Sequence, residues 1–269
     1  MLKDITLGQY FPGNSILHRL DPRTKLIGVI VYIVALFLCK QLLSYCLVAL
    51  FLAWMIHVSG AGVKAIVRGL KPVLIIMIFT GILNLLYTGG TPIVQWGFLT
   101  ITVEGIWKAI YMVARIMMLI MGTFLLTYTT SPILLTDAIE SLFGPLKKIH
   151  VPIHELAMIM SIALRFIPTL IEETDKLMSA QKARGADFES GNLIEKAKSL
   201  VPLLVPLFVS SFRRAEELAV AMESRCYHGG EGRTRFRQLK YNRQDFVALL
   251  VLALLIAVIV VLRSLHFVV

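Results

Sequence analysis

Three cysteines, Cys39, Cys46 and Cys226, are too few and too scattered for a disulfide framework, and none shows zinc-ligand spacing. They read as free thiols in a reducing compartment. The chain has no G-x-x-x-x-G-K-[ST], so nothing in it cradles a nucleotide phosphate. It has no G-x-S-x-G and no paired carboxylates inside an apolar run, which argues against a serine hydrolase and against a proton relay within the membrane. His154-Glu155 opens like the zinc-protease H-E-x-x-H, but Met158 stands where the second histidine is required, so no metal or other cofactor is expected. Residues 1–25 lack an apolar core region, so no cleavable signal is expected and the first true span starts membrane insertion. Acidic side chains are scarce before Ser131, where only Asp4, Asp21 and Glu104 occur.

Apolar residues, by contrast, make up 57% of the 269 positions. With a mean hydropathy of +0.76, this is more than a soluble domain keeps in solution. The expected fold class is all-α, a polytopic membrane protein with about five transmembrane helices and a cytoplasmic module of long amphipathic helices. The formal net charge is +10, but the basic residues flank apolar runs, as loops held on the cytoplasmic side do, so the bilayer rather than nucleic acid is the expected partner.

Met1 to Lys25, with Lys3, Arg19, Arg23 and Lys25, is placed in the cytoplasm. Leu26 to Cys39 is about 21 Å of helix against a hydrocarbon core of about 30 Å, so it spans only if Arg23, Lys25 and Lys40 snorkel. Gln41 to Val58 returns, and Lys64, Arg68 and Lys71 mark a second cytoplasmic loop. Pro72 to Tyr87 crosses again. Thr88 to Gly105 reads as an external loop with Trp96 and Trp107 at the interface, and Ala109 to Thr130 crosses back to the breaker Ser131-Pro132. Arg115, the one deep charge, is read as facing the bundle or snorkelling. The N-terminal membrane bundle is thus 1–130, followed by a cytoplasmic module over 131–245 and a C-terminal helix in 246–269, whose span Phe246 to Leu262 leaves Val269 outside.

The middle segment holds roughly 30 of the 44 charged residues. Within it Thr136 to Phe143 is a short amphipathic helix ended by Gly144-Pro145, and Ile153 to Ile167 is apolar enough to dip into the inner half of the bilayer. Two longer polar-faced helices follow, neither apolar enough to cross. Thr169 to Gly185 sets Leu170, Ile171, Thr174, Leu177, Met178 and Gln181 on one face, with Gly185 after Arg184 as a stop. Pro202 to Arg225 carries a stripe of Phe208, Phe212, Ala215, Ala219 and Met222 and stops near Ser224-Arg225-Cys226. Beyond lies a juxtamembrane basic run of Arg233, Arg235, Arg237, Lys240 and Arg243. One arginine in a last turn answers the helix dipole and needs no partner. Two such endings about 40 residues apart fit a pair of equivalent acidic or carbonyl-lined sockets equally well.

Four stretches, GQYFPGNSILHRLDPRTKL (Gly8 to Leu26), HELAMIMSIALRFIPTLIEETDKLMSAQKARGADF (His154 to Phe188), PLLVPLFVSSFRRAEELAVAME (Pro202 to Glu223) and YHGGEGRTR (Tyr227 to Arg235), resemble the transmembrane T component of energy-coupling factor (ECF) transporters. The resemblance covers nearly the whole chain. It implies a non-catalytic subunit of a bacterial cell membrane. Two coupling helices, each with an Ala-Arg-Gly-like triplet, would dock into two ABC-type ATPases, and a small membrane-embedded S component would bind a vitamin or other micronutrient. Carried over, the ATPase-binding triplets are Ala183-Arg184-Gly185 and Ser224-Arg225-Cys226, and the stripes Leu170, Ile171, Leu177, Met178, Phe208, Phe212, Ala215, Ala219 and Met222 would face the S component. The second triplet keeps its arginine but not its flanking residues. Cysteine enters a left-handed cap less readily than glycine, which leaves the turn after Arg225 open. A self-contained carrier is argued against by the few polar groups in the spans and the lack of an inverted repeat, and an intramembrane enzyme by the missing catalytic constellation.

Overall fold

A computed structural model describes residues 10–96, 99–186, 188, 192–229 and 238–264. Arg233, Arg235 and Arg237 of the basic run, the Trp96 side chain and Val269 lie outside that description. The chain divides into two compact units, one built from residues between Gly8 and Ala138 and from Leu239 onward, the other from Ile139 to Gln238.

In the first unit a short helix α1 (Ile16–Arg19) leads into α2 (Pro22–Leu38). The second helix starts earlier than its apolar run. Asp21 caps it by accepting from the Arg23 backbone N–H at 2.9 Å, and Pro22 sits at the first turn, where its missing N–H costs nothing. Then come α3 (Leu42–Ser59), closed by Gly60 in the left-handed conformation, α4 (Val63–Leu70), a 3-10 turn over Lys71–Val73, and α5 (Leu74–Tyr87). The segment expected to be loop between Thr88 and Gly105 instead forms an antiparallel hairpin of β1 (Pro92–Trp96) and β2 (Leu99–Thr102). Its β-branched and aromatic residues suit paired strands, and the Glu104 carboxylate pins its base by accepting from the Thr91 N–H at 2.8 Å. Thr102 then caps α6 (Val103–Thr129) through the Gly105 N–H at 3.0 Å. Ser131-Pro132 is a start as well as a stop, because Pro132 opens α7 (Pro132–Phe143). The unit is completed by α10 (Arg243–Ser264).

The helical class is as expected, and five helical segments are long and apolar enough to cross a membrane: Leu42–Ser59, Ala65–Tyr87, Val103–Thr129, Ile153–Ala183 and Arg243–Ser264. The number agrees with the sequence reading, but the membership differs. With 17 residues, α2 is about 25 Å long and is not among them. Ile153–Ala183 enters because its apolar first half runs without a break into the polar-faced second half.

Tyr32, Leu36, Val48, Leu52, Met118, Leu125 and Ile259 form the centre of this unit where α2, α3, α6 and α10 meet. Polar groups inside it are matched. Tyr32 Oη donates to the Met118 carbonyl at 3.0 Å. Arg115 turns into the bundle: its Nε and Nη2 donate to Tyr45 Oη at 3.0 and 2.5 Å, and Nη2 also donates to the Cys39 carbonyl at 3.2 Å. Lys25 Nζ donates to the Thr129 carbonyl at 3.0 Å and to Thr130 Oγ1 at 3.2 Å, so its charge lies at the C-terminal end of α6, where the helix dipole favours a cation. The buried Asp245 carboxylate ties α10 to α2 by accepting from the backbone N–H groups of Asp21 at 2.8 Å and Asn242 at 2.7 Å.

Candidate coupling-helix site

Two 31-residue helices carry the site: α8 (Ile153–Ala183) and α9 (Leu193–Glu223). Both are longer than their apolar periodicity indicates, because Pro168 lies inside α8 and Pro202 and Pro206 lie inside α9. A proline in mid-helix deletes one backbone hydrogen bond and costs about 3 kcal/mol, which the many other turns of such long helices outweigh. At the start of α9 the Glu195 carboxylate accepts from the Asn192 N–H at 3.0 Å.

The helix ends are near copies of one another. After α8, the Gly185 N–H donates to the Lys182 carbonyl at 3.0 Å and the Ala186 N–H to the Gln181 carbonyl at 3.0 Å, with Gly185 at φ +88°. After α9, the Cys226 N–H donates to Glu223 at 2.8 Å and the Tyr227 N–H to Met222 at 3.1 Å, with Cys226 at φ +55°. Both have the paired 5→2 and 6→1 bonds of a Schellman turn, in which the residue after the arginine is left-handed. The replacement of glycine by cysteine therefore does not change the turn; it makes it more costly, by about 1 to 2 kcal/mol for a side chain in that region. Ala183, Arg184, Gly185, Ser224, Arg225 and Cys226 are all exposed, and neither arginine has an ion-pair or side-chain hydrogen-bond partner among the described residues.

Cys226→Gly is accordingly expected to keep the turn and to protect the Tyr227 amide from hydrogen exchange at least as well as the native residue. Cys226→Val, β-branched in a left-handed position, is expected to speed that exchange about tenfold, as a loss of roughly 1.4 kcal/mol requires. Equal exchange in both variants would show that the side chain at this position does not control the turn.

Between the ends, the helices meet at a polar contact. Glu173 accepts from Ser210 Oγ through one carboxylate oxygen and from Arg214 Nη2 at 2.8 Å through the other. The signal for Glu173 was its place three residues beyond Leu170, on the apolar face rather than among the outward charges. Arg184 lies 11 residues past Glu173, and Arg225 lies 11 residues past Arg214. Each arginine is thus about 16 Å along its own helix from the same meeting point.

Beside this contact is a crevice of about 270 Å³ lined by Leu170, Ala215, Ala219 and Met222, together with Ile162 and Phe166. The expected stripes are therefore divided. Leu170, Ala215, Ala219 and Met222 line the crevice between the two helices, and Ile171, Leu177 and Met178 are half-buried. The rings of Phe208 and Phe212 meet at a tilt of 57° with 4.8 Å between centroids and stay 66% and 64% exposed, so they are the large apolar part of the stripes open to another molecule. His154 does not approach a metal set. Its Nδ1 lies 2.9 Å from Glu140 Oε1 on α7, and no cluster of three metal-ligating side chains occurs among the described residues.

Fold and site define a class: a polytopic helical membrane protein bearing a pair of long contacting helices with matched arginine ends. The chain matches the cobalt transport protein family, CbiQ, over residues 13–236. It is 57% identical over 245 residues to the energy-coupling factor transporter transmembrane protein EcfT of Ruminiclostridium cellulolyticum, covering 91% of this chain and 92% of that protein. It is 54% identical to the protein of the same name from Clostridium kluyveri, over 98% of both chains. With that of Bacillus subtilis it shares 48% identity over 98% of this chain and the whole of the other. The chain belongs to this family of transmembrane components of energy-coupling factor transporters.

Proposed function

We propose that this chain is the scaffold and transmission element of an ECF-type importer, in which α8 and α9 pass ATP-driven motion from two ABC-type ATPase subunits to a small membrane-embedded S component that binds a vitamin or micronutrient. The observation that carries the reading is the pair of exposed arginines, each held by the same left-handed turn and each about 16 Å from the Glu173–Arg214 contact. Two equal arms from a common pivot turn a closing movement of two ATPases into a change of crossing between the helices. The exposed Phe208–Phe212 pair on α9 gives that movement an apolar surface through which to act on a membrane partner. In this reading ATP hydrolysis takes place in the partners, consistent with the absence of a phosphate-binding loop in the sequence.

Gentle detergent extraction of the tagged chain from its native membrane tests the assignment. Two nucleotide-binding subunits and a small apolar protein are expected to co-purify, and recovery of the chain without ATPases would overturn it. The same reading places the N-terminus and the 131–245 module in the cytoplasm. With Cys46 and Cys226 changed to serine, Thr91→Cys is expected to react with a membrane-impermeant maleimide on intact cells, whereas Lys198→Cys reacts only after the cells are opened. The reverse pattern would invert the orientation.

A further inference from the structure

The membrane unit contains an apolar cavity of about 390 Å³, within the range of small-molecule sites, that the coupling role does not use. Besides Ile16 and Leu17 of α1 and Leu20 after it, four longer helices line it for about two turns each: α2 from Thr24 to Tyr32, α3 from Phe51 to Val58, α6 from Gly122 to Thr129, and α10 from Arg243 to Leu252. Since α2 and α10 begin there and α3 and α6 end there, the cavity starts at one end of the bundle. It runs about 12 Å inward, most of the depth of one leaflet's hydrocarbon. Its polar groups are concentrated at the outer end. Lys25 Nζ meets carbonyl and hydroxyl oxygens rather than a carboxylate, and among the described residues Arg243 is exposed with no ion pair and the Thr24 hydroxyl is buried with no hydrogen-bond partner. The wall deeper in is aliphatic and aromatic, with Val29, Leu125 and Val251 among its residues.

We infer that this cavity is a binding site for an anionic phospholipid, with the phosphate at Arg243 and Lys25 and one acyl chain between α2, α3, α6 and α10. A free phosphate would leave the apolar depth empty, and a zwitterionic lipid would leave Arg243 uncompensated, whereas the charge of Lys25 is already partly met by the buried carboxylates of Asp21 and Asp245. A lipid with net negative charge meets both requirements, as at other basic pockets between transmembrane helices. In the proposed orientation this is the inner leaflet; the site itself does not depend on the coupling role.

Trp54 lines the cavity and provides the probe. The full chain, with Trp96 and Trp107 replaced by phenylalanine, is reconstituted in phosphatidylcholine vesicles containing a small fraction of lipid with brominated acyl chains, which quench tryptophan on contact. Brominated phosphatidylglycerol is expected to quench Trp54 at a concentration at least about fivefold lower than brominated phosphatidylcholine, the factor that one cation near the membrane surface supplies. Arg243→Gln is expected to remove about that factor. Lys71→Gln, a cation lost away from the cavity, is expected to leave the preference unchanged. Ala248→Phe, which fills the cavity, is expected to abolish it, and millimolar inorganic phosphate is expected not to compete. Equal quenching by the two lipids, or the same loss in the Arg243 and Lys71 variants, would show only general attraction of lipid to a basic protein and would overturn the site. Competition by free phosphate would also overturn it.

Discussion

Arg184→Ala and Arg225→Ala are each expected to abolish ATP-driven uptake while the chain still inserts and folds. Both side chains are exposed and unpartnered among the described residues, so alanine removes nothing from the chain's own packing. What is lost internally is the interaction with the helix dipole, under about 1 kcal/mol, in exchange for the best helix former. The backbone bonds of both turns remain, since they run between main-chain groups. If, as proposed, each arginine enters a partly desolvated groove on an ATPase, the balance is different. There a guanidinium makes charge-assisted hydrogen bonds, and its removal leaves the groove's acceptors unpaired, at about 2 to 5 kcal/mol. That corresponds to at least about thirtyfold weaker binding for each arm. Either single variant should retain some ATPase through the other arm yet fail to transmit movement, and the double variant should lose the ATPases altogether. Lysine should rescue poorly, because it keeps the charge but not the planar fork. Uptake in proteoliposomes, with ATPase content measured on the same samples, decides the matter. Normal uptake by both alanine variants would reduce the arginines to helix caps.

Much of this arrangement was legible in the sequence where a residue's local chemistry decides the outcome. Gly185 after Arg184 marks a left-handed stop, and the stripe from Phe208 to Met222 marks a helix face, because both follow from steric and periodic rules that act within one turn. Cys226 was not legible. Its side chain disfavours the conformation it adopts, and only the hydrogen bonds back to Met222 and Glu223 hold it there. Two prolines misled in the same way, since Pro168 and Pro202 read as boundaries by local rule and are carried inside helices long enough to absorb the missing bonds. The identity of the partners that distant segments meet left no local trace. That Asp245 would hold the Asp21 N–H, 224 residues away, or that Glu173 would face Ser210 and Arg214, depends on which helices become neighbours. Arg115 lies between these cases. Its burial in an apolar run predicts an inward-facing partner, but not that the partner is the Tyr45 hydroxyl.

Gly122 is a position where a single methyl group is expected to destabilise the membrane unit. It lies in α6 against the Tyr32 ring, and a Cβ placed there would be 2.3 Å from Tyr32 Cε1 and 3.0 Å from Cζ. The ring cannot easily yield, being 4% exposed and fixed at its far end by the hydrogen bond from Oη to the Met118 carbonyl. Helix propensity acts the other way, since alanine is favoured over glycine by about 0.8 to 1 kcal/mol in a helix interior. Against this stand about 1 to 3 kcal/mol of overpacking and a further 0.5 to 1.5 kcal/mol if Tyr32 loses its acceptor. The clash should win, so Gly122→Ala is expected to lower the thermal midpoint of the purified chain by several degrees and Gly122→Val to lower it further. If the Tyr32 ring is the cause, the cost must vanish when the ring is removed. Tyr32→Leu will be destabilising by itself, but adding Gly122→Ala to it should cost little or even stabilise, giving a coupling energy of at least about 1 kcal/mol between the two sites. Strictly additive effects, or a midpoint raised by Gly122→Ala alone, would show that α2 and α6 do not meet at this glycine.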